Sequence, residues 1–256
     1  MGNTHTERID VVFVCGGDWH DFDFARLEIL KLLAEDQRFR TTVYGCYDDA
    51  VEVLNGADFV ISYTSNRVGS DSTQEALRLF IEQGGKWFAL HGTNSLIVID
   101  KKGQERASET LVHAPRAAPT LMTTLGSQFV AHPPIGPYTV EVTKPDDPLV
   151  RGLEPFQVSD ELYLMETHGD LEVLLHSNFT GEAPGFAESE WDVSEHPVMY
   201  RRKLGKGSVL YLTLGHCRGH YDMNGITDFY PAVERGAWEL PVFYELLRRG
   251  LRWAIN

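Results

Sequence analysis

The amino-acid sequence predicts an α/β fold of three layers, in which helices cover both faces of a mostly parallel central sheet. Four short apolar segments alternate with three stretches of helical periodicity, the order expected of parallel strands joined by crossover helices. The fourth segment, Trp87 to Leu90, lies between Gly84-Gly85 and His91-Gly92, which is typical of a central strand buried on both faces. No repeat or linker divides the chain, so we expect one domain spanning 1–256.

The first half of the chain carries clear signals for each element. A β-branched run over 9–15 predicts the first strand, and Asp21 or Asp23 is placed to cap the helix that follows. Ser72 and Glu75 form a capping-box pattern at the start of a later helix. The remaining elements are predicted at 41–44 (strand), 48–54 (helix), 59–63 (strand) and 87–90 (strand).

The second half is less regular. We expect a hairpin or loop over Val98–Gly103, a helix that ends near Gly126 and a surface loop over 178–196. Gly205-Lys206-Gly207 predicts a hairpin turn between two strands. The other elements are strands at 138–142, 171–176, 198–200 and 209–214, and a closing helix that carries Leu246, Leu247, Leu251 and Trp253.

Composition limits the partners of the protein. A formal net charge of −14 without a compensating run of Lys and Arg argues against nucleic acid or an anionic membrane. No apolar run is long enough to span a membrane, and no secretory signal is recognisable. Cys15, Cys46 and Cys217 are odd in number and far apart, which predicts reduced thiols in a cytoplasmic protein. We expect no thiol chemistry at Cys15 or Cys46.

Three predicted strands end beside a glycine and a histidine, at Gly17…His20, His91-Gly92 and Gly215-His216. Ligands of open α/β sheets bind at the carboxyl ends of the parallel strands, so we expect the three imidazoles to line one cleft. Imidazole titrates near neutral pH and can act as a general acid, a base or a neutral metal ligand. The alternative is that each histidine only closes a strand end by bonding a carbonyl.

Other side chains are candidates for the same cleft. Glu161 is the carboxylate expected to orient an imidazole or to act as a base, although a solvated pair with Asp160 is the alternative. No Gly-x-Gly-x-x-Gly follows the first strand and no Gly-x-Ser-x-Gly is present, which disfavours a dinucleotide cofactor and a serine nucleophile. The candidate substrate-binding residues are Trp19, Tyr63, His132, Tyr163, Arg218 and Tyr221.

The order of these motifs resembles the trehalose-utilisation (ThuA-like) family over about Val11 to Trp253. The resemblance implies a flavodoxin-like fold related to the class I glutamine amidotransferases, and a role in sugar or disaccharide catabolism. Those amidotransferases carry a cysteine in the turn that is here His91-Gly92-Thr93, so amidotransferase activity is not expected. The motifs are Gly16-Gly17…His20, His91-Gly92, Gly126…Phe129…His132-Pro133, Asp160-Glu161-Leu162-Tyr163, Gly205-Lys206-Gly207 and Gly215-His216.

Three functional hypotheses follow. The leading one is an enzyme of a small-molecule sugar or keto-sugar without a cofactor, in which strand-end histidines transfer protons; its catalytic residues would be His20, His91, His216 and Glu161. The second hypothesis is a divalent-metal enzyme, in which members of the set His20, His91, His132 and His216 bind zinc or a similar ion. No His-x-His spacing in the sequence supports this ligation.

The third hypothesis is a non-catalytic sugar-binding module. Homo-oligomerisation is left open.

Overall fold

A computed structural model describes residues 7–100 and 111–256 of the protein. The helices are α1 (Phe22–Leu33), α2 (Tyr47–Ala50), α3 (Asp71–Glu82), α4 (Pro119–Leu125) and α5 (Pro241–Ile255). The strands are β1 (Ile9–Gly17), β2 (Phe39–Tyr44), β3 (Phe59–Ser65), β4 (Lys86–Leu90), β5 (Val98–Asp100), β6 (Leu111–His113), β7 (Ser127–Ala131), β8 (Gly136–Val142), β9 (Phe156–Asp160), β10 (Leu164–Thr167), β11 (Glu172–Asn178), β12 (Gly181–Glu182), β13 (Glu190–Trp191), β14 (Glu195–Leu204) and β15 (Gly207–Leu212).

The central sheet has nine strands in the order β2-β1-β3-β4-β15-β14-β11-β8-β9. Neighbouring strands are parallel from β2 to β15 and antiparallel from β15 to β9. The prediction of a mostly parallel sheet is therefore correct for the first part only, and the whole sheet is mixed. The change occurs because the tight turn at Gly205-Lys206 returns β15 antiparallel to β14, where a parallel pair would need a long crossover.

Helices cover both faces of the sheet, as the three-layer prediction requires. Successive residues of β1 point to opposite faces, so Val11 and Phe13 pack with α1 and α5, while Val12 and Val14 pack with α2, α3 and α4. Strand β4 lies at the centre, between β3 and β15, and Trp87 to Leu90 are buried as predicted. The carboxyl ends of β1, β3, β4 and β15 therefore meet at one edge.

Several predicted boundaries differ from the structure. Ser70, rather than Ser72, caps α3, and its side chain accepts a hydrogen bond from the Thr73 amide. Ser70 is also held by Asp48, a residue distant in sequence, and this tertiary contact decides the cap. The helix predicted at 48–54 is the short α2 followed by a 3-10 turn, Val51–Gly56.

The second half contains strands that the sequence pattern does not predict. β7 pairs with β10 in a separate ribbon, and the predicted surface loop over 178–196 contains β12, β13 and the start of β14. Val98 to Asp100 form β5, which pairs antiparallel with β6, and the rest of the predicted hairpin or loop, Lys101 to Gly103, lies outside the described residues. Of these short strands, β5, β6 and β7 supply wall residues of the cavity described below, namely Ile99, Val112 and Phe129.

The packing of α5 on the sheet gives a test of this fold. A Cβ added at Gly250 would overlap the buried ring of Phe88 on β4. Alanine is favoured over glycine in a helix by about 1 kcal/mol, but overpacking a core costs about 1–3 kcal/mol and more when the neighbour is a rigid ring. We expect Gly250→Ala to lower the free energy of unfolding by roughly 1–2 kcal/mol, measured by denaturant unfolding.

Gly45→Ala is the matched control, because its added Cβ would meet nothing within 4 Å. Its stability should stay within about 0.5 kcal/mol of the wild type. A Gly250→Ala protein as stable as the wild type would contradict the described contact between α5 and β4.

Candidate active site

Three histidines converge at the carboxyl edge of the sheet. His20 follows β1, His91 directly follows β4 and His216 follows β15. The backbone turns sharply at two of these places, since Trp19 (φ 66°) and His91 (φ 43°) are both in the left-handed region. This conformation costs of order 1–3 kcal/mol in a non-glycine residue and concentrates at functional sites. The turns bring the three imidazoles together, but only His20 lines the cavity described below, whereas the sequence predicts that all three line one cleft.

The shortest distances in the cluster join His20, His91, His216 and Glu161. The two Nε2 atoms of His20 and His91 are 2.9 Å apart. Glu161 Oε2 is 3.5 Å from His91 Nε2, and Glu161 Oε1 is 3.1 Å from His216 Nδ1. One donor atom of each of the four residues lies within 4.8 Å of the others, and all four residues are buried. In the part of the chain that the structure describes, this is the one group of His, Cys, Asp and Glu so arranged.

The Nδ1 atoms of His20 and His91, which face away from the cluster, each bond a backbone carbonyl. His20 Nδ1 lies 3.1 Å from the Asp18 carbonyl oxygen, and His91 Nδ1 lies 2.7 Å from the Thr213 carbonyl oxygen. A carbonyl oxygen only accepts hydrogen bonds, so each Nδ1 carries the hydrogen and each Nε2 turns a lone pair toward the centre. Two lone pairs 2.9 Å apart repel each other unless a cation, either a proton or a metal ion, lies between them.

His216 is also held by a hydrogen bond on the side away from the cluster, but through Nε2 rather than Nδ1. Its Nε2 lies 2.8 Å from the carboxylate of Glu234, which leaves Nδ1 facing the centre. This buried Nδ1 has no aligned hydrogen-bond partner, although Glu161 is close. An imidazole bonded to a carboxylate through one nitrogen, with the other nitrogen directed at a shared point, is the usual arrangement of a metal-binding histidine.

The charges of the cluster follow from burial and from neighbouring groups. Burial disfavours the charged form of Glu161, but the imidazoles of His216 and His132 outweigh it and hold the pKa of this carboxyl well below its usual range. Burial also opposes charge on His216, but the carboxylates of Glu161 and Glu234 raise its pKa to about 9. Burial and the adjacent imidazole lower the pKa of His20 well below its ordinary value, so His20 is neutral at pH 7.

A cavity of about 150 Å³ opens beside this cluster. His20 and Glu161 contribute polar groups to its lining, and Tyr163 places its hydroxyl 3.3 Å from His91 Nε2. A pocket with apolar walls and a few convergent polar groups is typical of a small-molecule site. The apolar wall is formed by Ile97, Ile99, Val112, Phe129, Phe186, Met223 and Ile226.

Most of the predicted substrate-binding residues line this cavity, namely Trp19, His132, Tyr163 and Arg218. Tyr63 does not line it. The Tyr63 ring is buried and stacks on the ring of His91, and its hydroxyl donates to the Gly215 carbonyl. Tyr63 cannot stack on a sugar from this position, because strand β3 buries its ring against His91. Tyr221, which is 71% exposed, is also absent from the lining.

The metal hypothesis counts His132 among its candidate ligands, but the converging set contains Glu161 in its place. The side chain of His132 is 22% exposed, and its Nε2 is 3.7 Å from Glu161 Oε1, at the margin of the cluster. Glu161 is only 4% exposed and is the fourth member of the converging set. The alternative of a solvated pair is wrong, since Asp160 is 1% exposed.

The thiols and hydroxyls near the turn are engaged in structural contacts. Burial raises the pKa of the Cys15 and Cys217 thiols to about 12, which keeps them protonated and unreactive at neutral pH. Cys217 contacts the Tyr63 hydroxyl, and Thr93 Oγ1 donates to the Leu90 carbonyl. Thiol or hydroxyl nucleophiles therefore gain no support.

Two acids of the site, the partly buried Glu234 and the buried Asp160, lack a recognisable sequence signal. Glu234 bonds His216, Arg218 and Tyr230, yet it lies in an irregular segment without periodicity. Asp160 precedes Glu161, and its pairing with the backbone emerges only in the folded chain. Their partners are distant in sequence or separated by loops, so local spacing does not reveal them.

A family model described as "ThuA: Trehalose utilisation" matches residues 10–236. The chain belongs to the ThuA family. A ThuA-like protein from Bacteroides uniformis has 17% identity and a TM-score of 0.65, over 99% of this chain and 94% of that one. A ThuA-like protein from Parabacteroides merdae has 15% identity and a TM-score of 0.63, over 98% and 91%. At these identities the likeness concerns the fold.

A protein from Salmonella typhimurium described as cytoplasmic shares 11% identity with this ThuA-family chain, at a TM-score of 0.51 and coverage of 96% and 97%. None of the curated proteins matches the sequence. Among residues 7–100 and 111–256, no helix is long and apolar enough to cross a membrane.

The charge of His216 gives a pH-dependent prediction, to be measured in the presence of a chelator. The pKa of His216 is about 9 in the folded chain and 6.5 for an unperturbed histidine. The ionised group therefore stabilises the fold fully below about pH 6.5, and this stability is lost as the pH rises through about 9. We expect the free energy of unfolding to fall over this range by roughly 3 kcal/mol at most.

His216→Gln should remove this slope, whereas His176→Gln on β11, bonded to Thr143, should keep it. Denaturant unfolding at a series of pH values measures both. Equal slopes in the wild type and in His216→Gln would contradict the described charge of His216.

Proposed function

We propose that this ThuA-family chain is a divalent-metal-dependent enzyme that acts on a sugar or keto-sugar in carbohydrate catabolism. Membership of a trehalose-utilisation family supports the carbohydrate role. The metal is supported chiefly by one observation: His20 and His91 direct their Nε2 atoms at each other across 2.9 Å while both Nδ1 atoms are bonded to carbonyls. We further propose that the protein is cytoplasmic and forms one domain, with a flavodoxin-like fold related to that of the class I glutamine amidotransferases.

The chemistry of the donor set fits a transition-metal ion. Three imidazole nitrogens and one carboxylate favour zinc or a similar ion over Mg²⁺ or Ca²⁺, which prefer oxygen ligands. The donors would be His20 Nε2, His91 Nε2, His216 Nδ1 and a carboxylate oxygen of Glu161. Glu234 and two backbone carbonyls hold the three rings from outside, as metal-binding imidazoles require.

A divalent ion, when bound, polarises a carbonyl or lowers the pKa of a hydroxyl. The remaining work is done by the chain's own residues. The apolar wall excludes water and strengthens polar interactions in the cavity. Tyr163 donates a hydrogen bond to a substrate oxygen beside His91. His132 bonds the Pro133 carbonyl through Nδ1, so in the neutral imidazole Nε2, 3.7 Å from Glu161 Oε1, carries the lone pair that would accept a proton from a hydroxyl-bearing carbon.

The metal-free alternative uses His91 or His216 as the base and Glu161 as its partner. The pKa of His216, raised to about 9, disfavours it as a base because His216 is already protonated at pH 7. His91 is flanked by His20, Tyr163 and Glu161 and does not line the cavity. Glutamine amidotransferase activity is not proposed, since His91-Gly92-Thr93 follows β4 where a nucleophilic cysteine would be needed.

Metal content gives the first test. Protein purified without an affinity tag should contain close to one divalent transition-metal ion per chain by mass spectrometry. His91→Ala and Glu161→Ala should each lose the ion, because each removes a converging donor. His132→Ala is the control and should keep it. Metal-free wild-type protein with full turnover would favour the metal-free alternative instead.

Turnover gives the second test. In a panel of sugars and keto-sugars, we expect a reaction that a chelator abolishes and that added zinc, manganese or cobalt restores. Trp19→Ala should raise KM several-fold with unchanged metal content, because Trp19 lines the cavity without belonging to the donor set. Sugar binding without turnover would support the non-catalytic module, and failure to bind any carbohydrate would contradict the proposal.

A further inference from the structure

The carboxylate of Asp160 is buried beside the cluster and is bonded to backbone amides. Asp160 is the last residue of β9 and is 1% exposed. Its Oδ1 accepts hydrogen bonds from the amides of Glu161 (2.8 Å) and His216 (3.2 Å). Its Oδ2 accepts from the amides of Gly215 (3.1 Å), His216 (3.2 Å) and Ala237 (2.7 Å). No ion pair of the described residues includes Asp160, so peptide dipoles offset much of the cost of its burial.

These bonds join three segments that the sheet does not join. β9 is an edge strand, and β14, β11 and β8 separate it from β15 in the strand order. Asp160 nevertheless fixes the backbone of Glu161, directly after β9, and of His216, after β15. It also bonds the 3-10 turn Gly236–Glu239, which follows Glu234, the residue that holds the His216 ring.

We propose that Asp160 is the positioning residue of the cluster, setting the places of Glu161 and His216 relative to each other. The proposal rests on the proposed function where it concerns a metal. Two donors of the set come from segments distant in the sheet, and one carboxylate is bonded to both. Preorganised donors bind a metal more tightly because fewer groups must be ordered when the ion enters.

The Asp160 carboxylate packs closely against the backbone of Gly236. A Cβ added at Gly236 would lie 2.5 Å from Asp160 Oδ2, and Gly236 has a φ of 46°. Asparagine at position 160 has the same shape as aspartate, but in either orientation its NH2 group would face backbone N–H donors. Because a donor cannot bond another donor, Asp160→Asn should displace either the Glu161 amide or the amides of Gly215 and Ala237.

The test measures Co²⁺ and Zn²⁺ binding to the full chain by competition with a chromogenic chelator, together with the visible absorption of the Co²⁺-loaded protein. Asp160→Asn should weaken binding of both ions about 10- to 100-fold and change the Co²⁺ bands, which report coordination geometry. Asp147→Asn is the matched control, since it removes a partly buried carboxylate that pairs with Arg201. It should leave both measurements unchanged.

Gly236→Ala provides a second route if Asp160→Asn does not fold, and it should also weaken binding and change the bands. Wild-type binding and bands in a folded Asp160→Asn protein would overturn the proposal. If the wild type itself binds neither ion, the proposed metal function fails, and the ¹⁵N spectrum of the imidazoles then decides. A changed His216 signal beside an unchanged His176 signal supports positioning by Asp160; unchanged signals for both overturn it.

Discussion

The approach of His20 Nε2 to His91 Nε2 is the constraint on which the rest of the site depends. The backbone carbonyls of Asp18 and Thr213 accept hydrogen bonds from the two Nδ1 atoms. Neither ring can therefore rotate without breaking a hydrogen bond to the backbone that directly follows β1 or β15. Tyr211 adds a further restraint, because its hydroxyl donates to the His91 carbonyl. The fold thus brings two electron-rich nitrogens together and makes the site favourable for a cation.

The charges around these nitrogens also favour a cation at this site. Two carboxylates, Glu161 and Glu234, face one guanidinium, that of Arg218, which leaves an excess negative charge when the imidazoles are neutral. In metal-free protein a proton on His216 balances this charge, in keeping with its raised pKa. A metal ion would take the place of that proton, because metal binding requires a neutral imidazole. At the proposed metal site, proton and metal would therefore compete for His216, and acid would weaken metal binding.

The parallel half of the fold and the three histidines could be predicted because their signals are local. An apolar strand followed by glycine and a polar residue identifies a strand end, and parallel strands place such ends at one edge. The role of Tyr63 and the cap of α3, predicted at Ser72 and found at Ser70, differ from prediction because burial and tertiary hydrogen bonds, rather than sequence spacing, determine them. Glu234 could not be found from local pattern, since its partner His216 is reached through an irregular loop. In the antiparallel half the hairpin of β14 and β15 could be predicted from its turn, but the pairing of β11 with β8 could not, because it joins segments distant in sequence.

The central claim is that four buried side chains form one cation site, and a crystal of tag-free protein soaked in Zn²⁺ tests it most directly. Anomalous differences at the zinc edge should show one strong peak about 2.0–2.2 Å from each donor. The donors are His20 Nε2, His91 Nε2, His216 Nδ1 and a Glu161 oxygen. A map with no peak there, in which the Nε2 atoms of His20 and His91 still lie 2.9 Å apart, would contradict the claim.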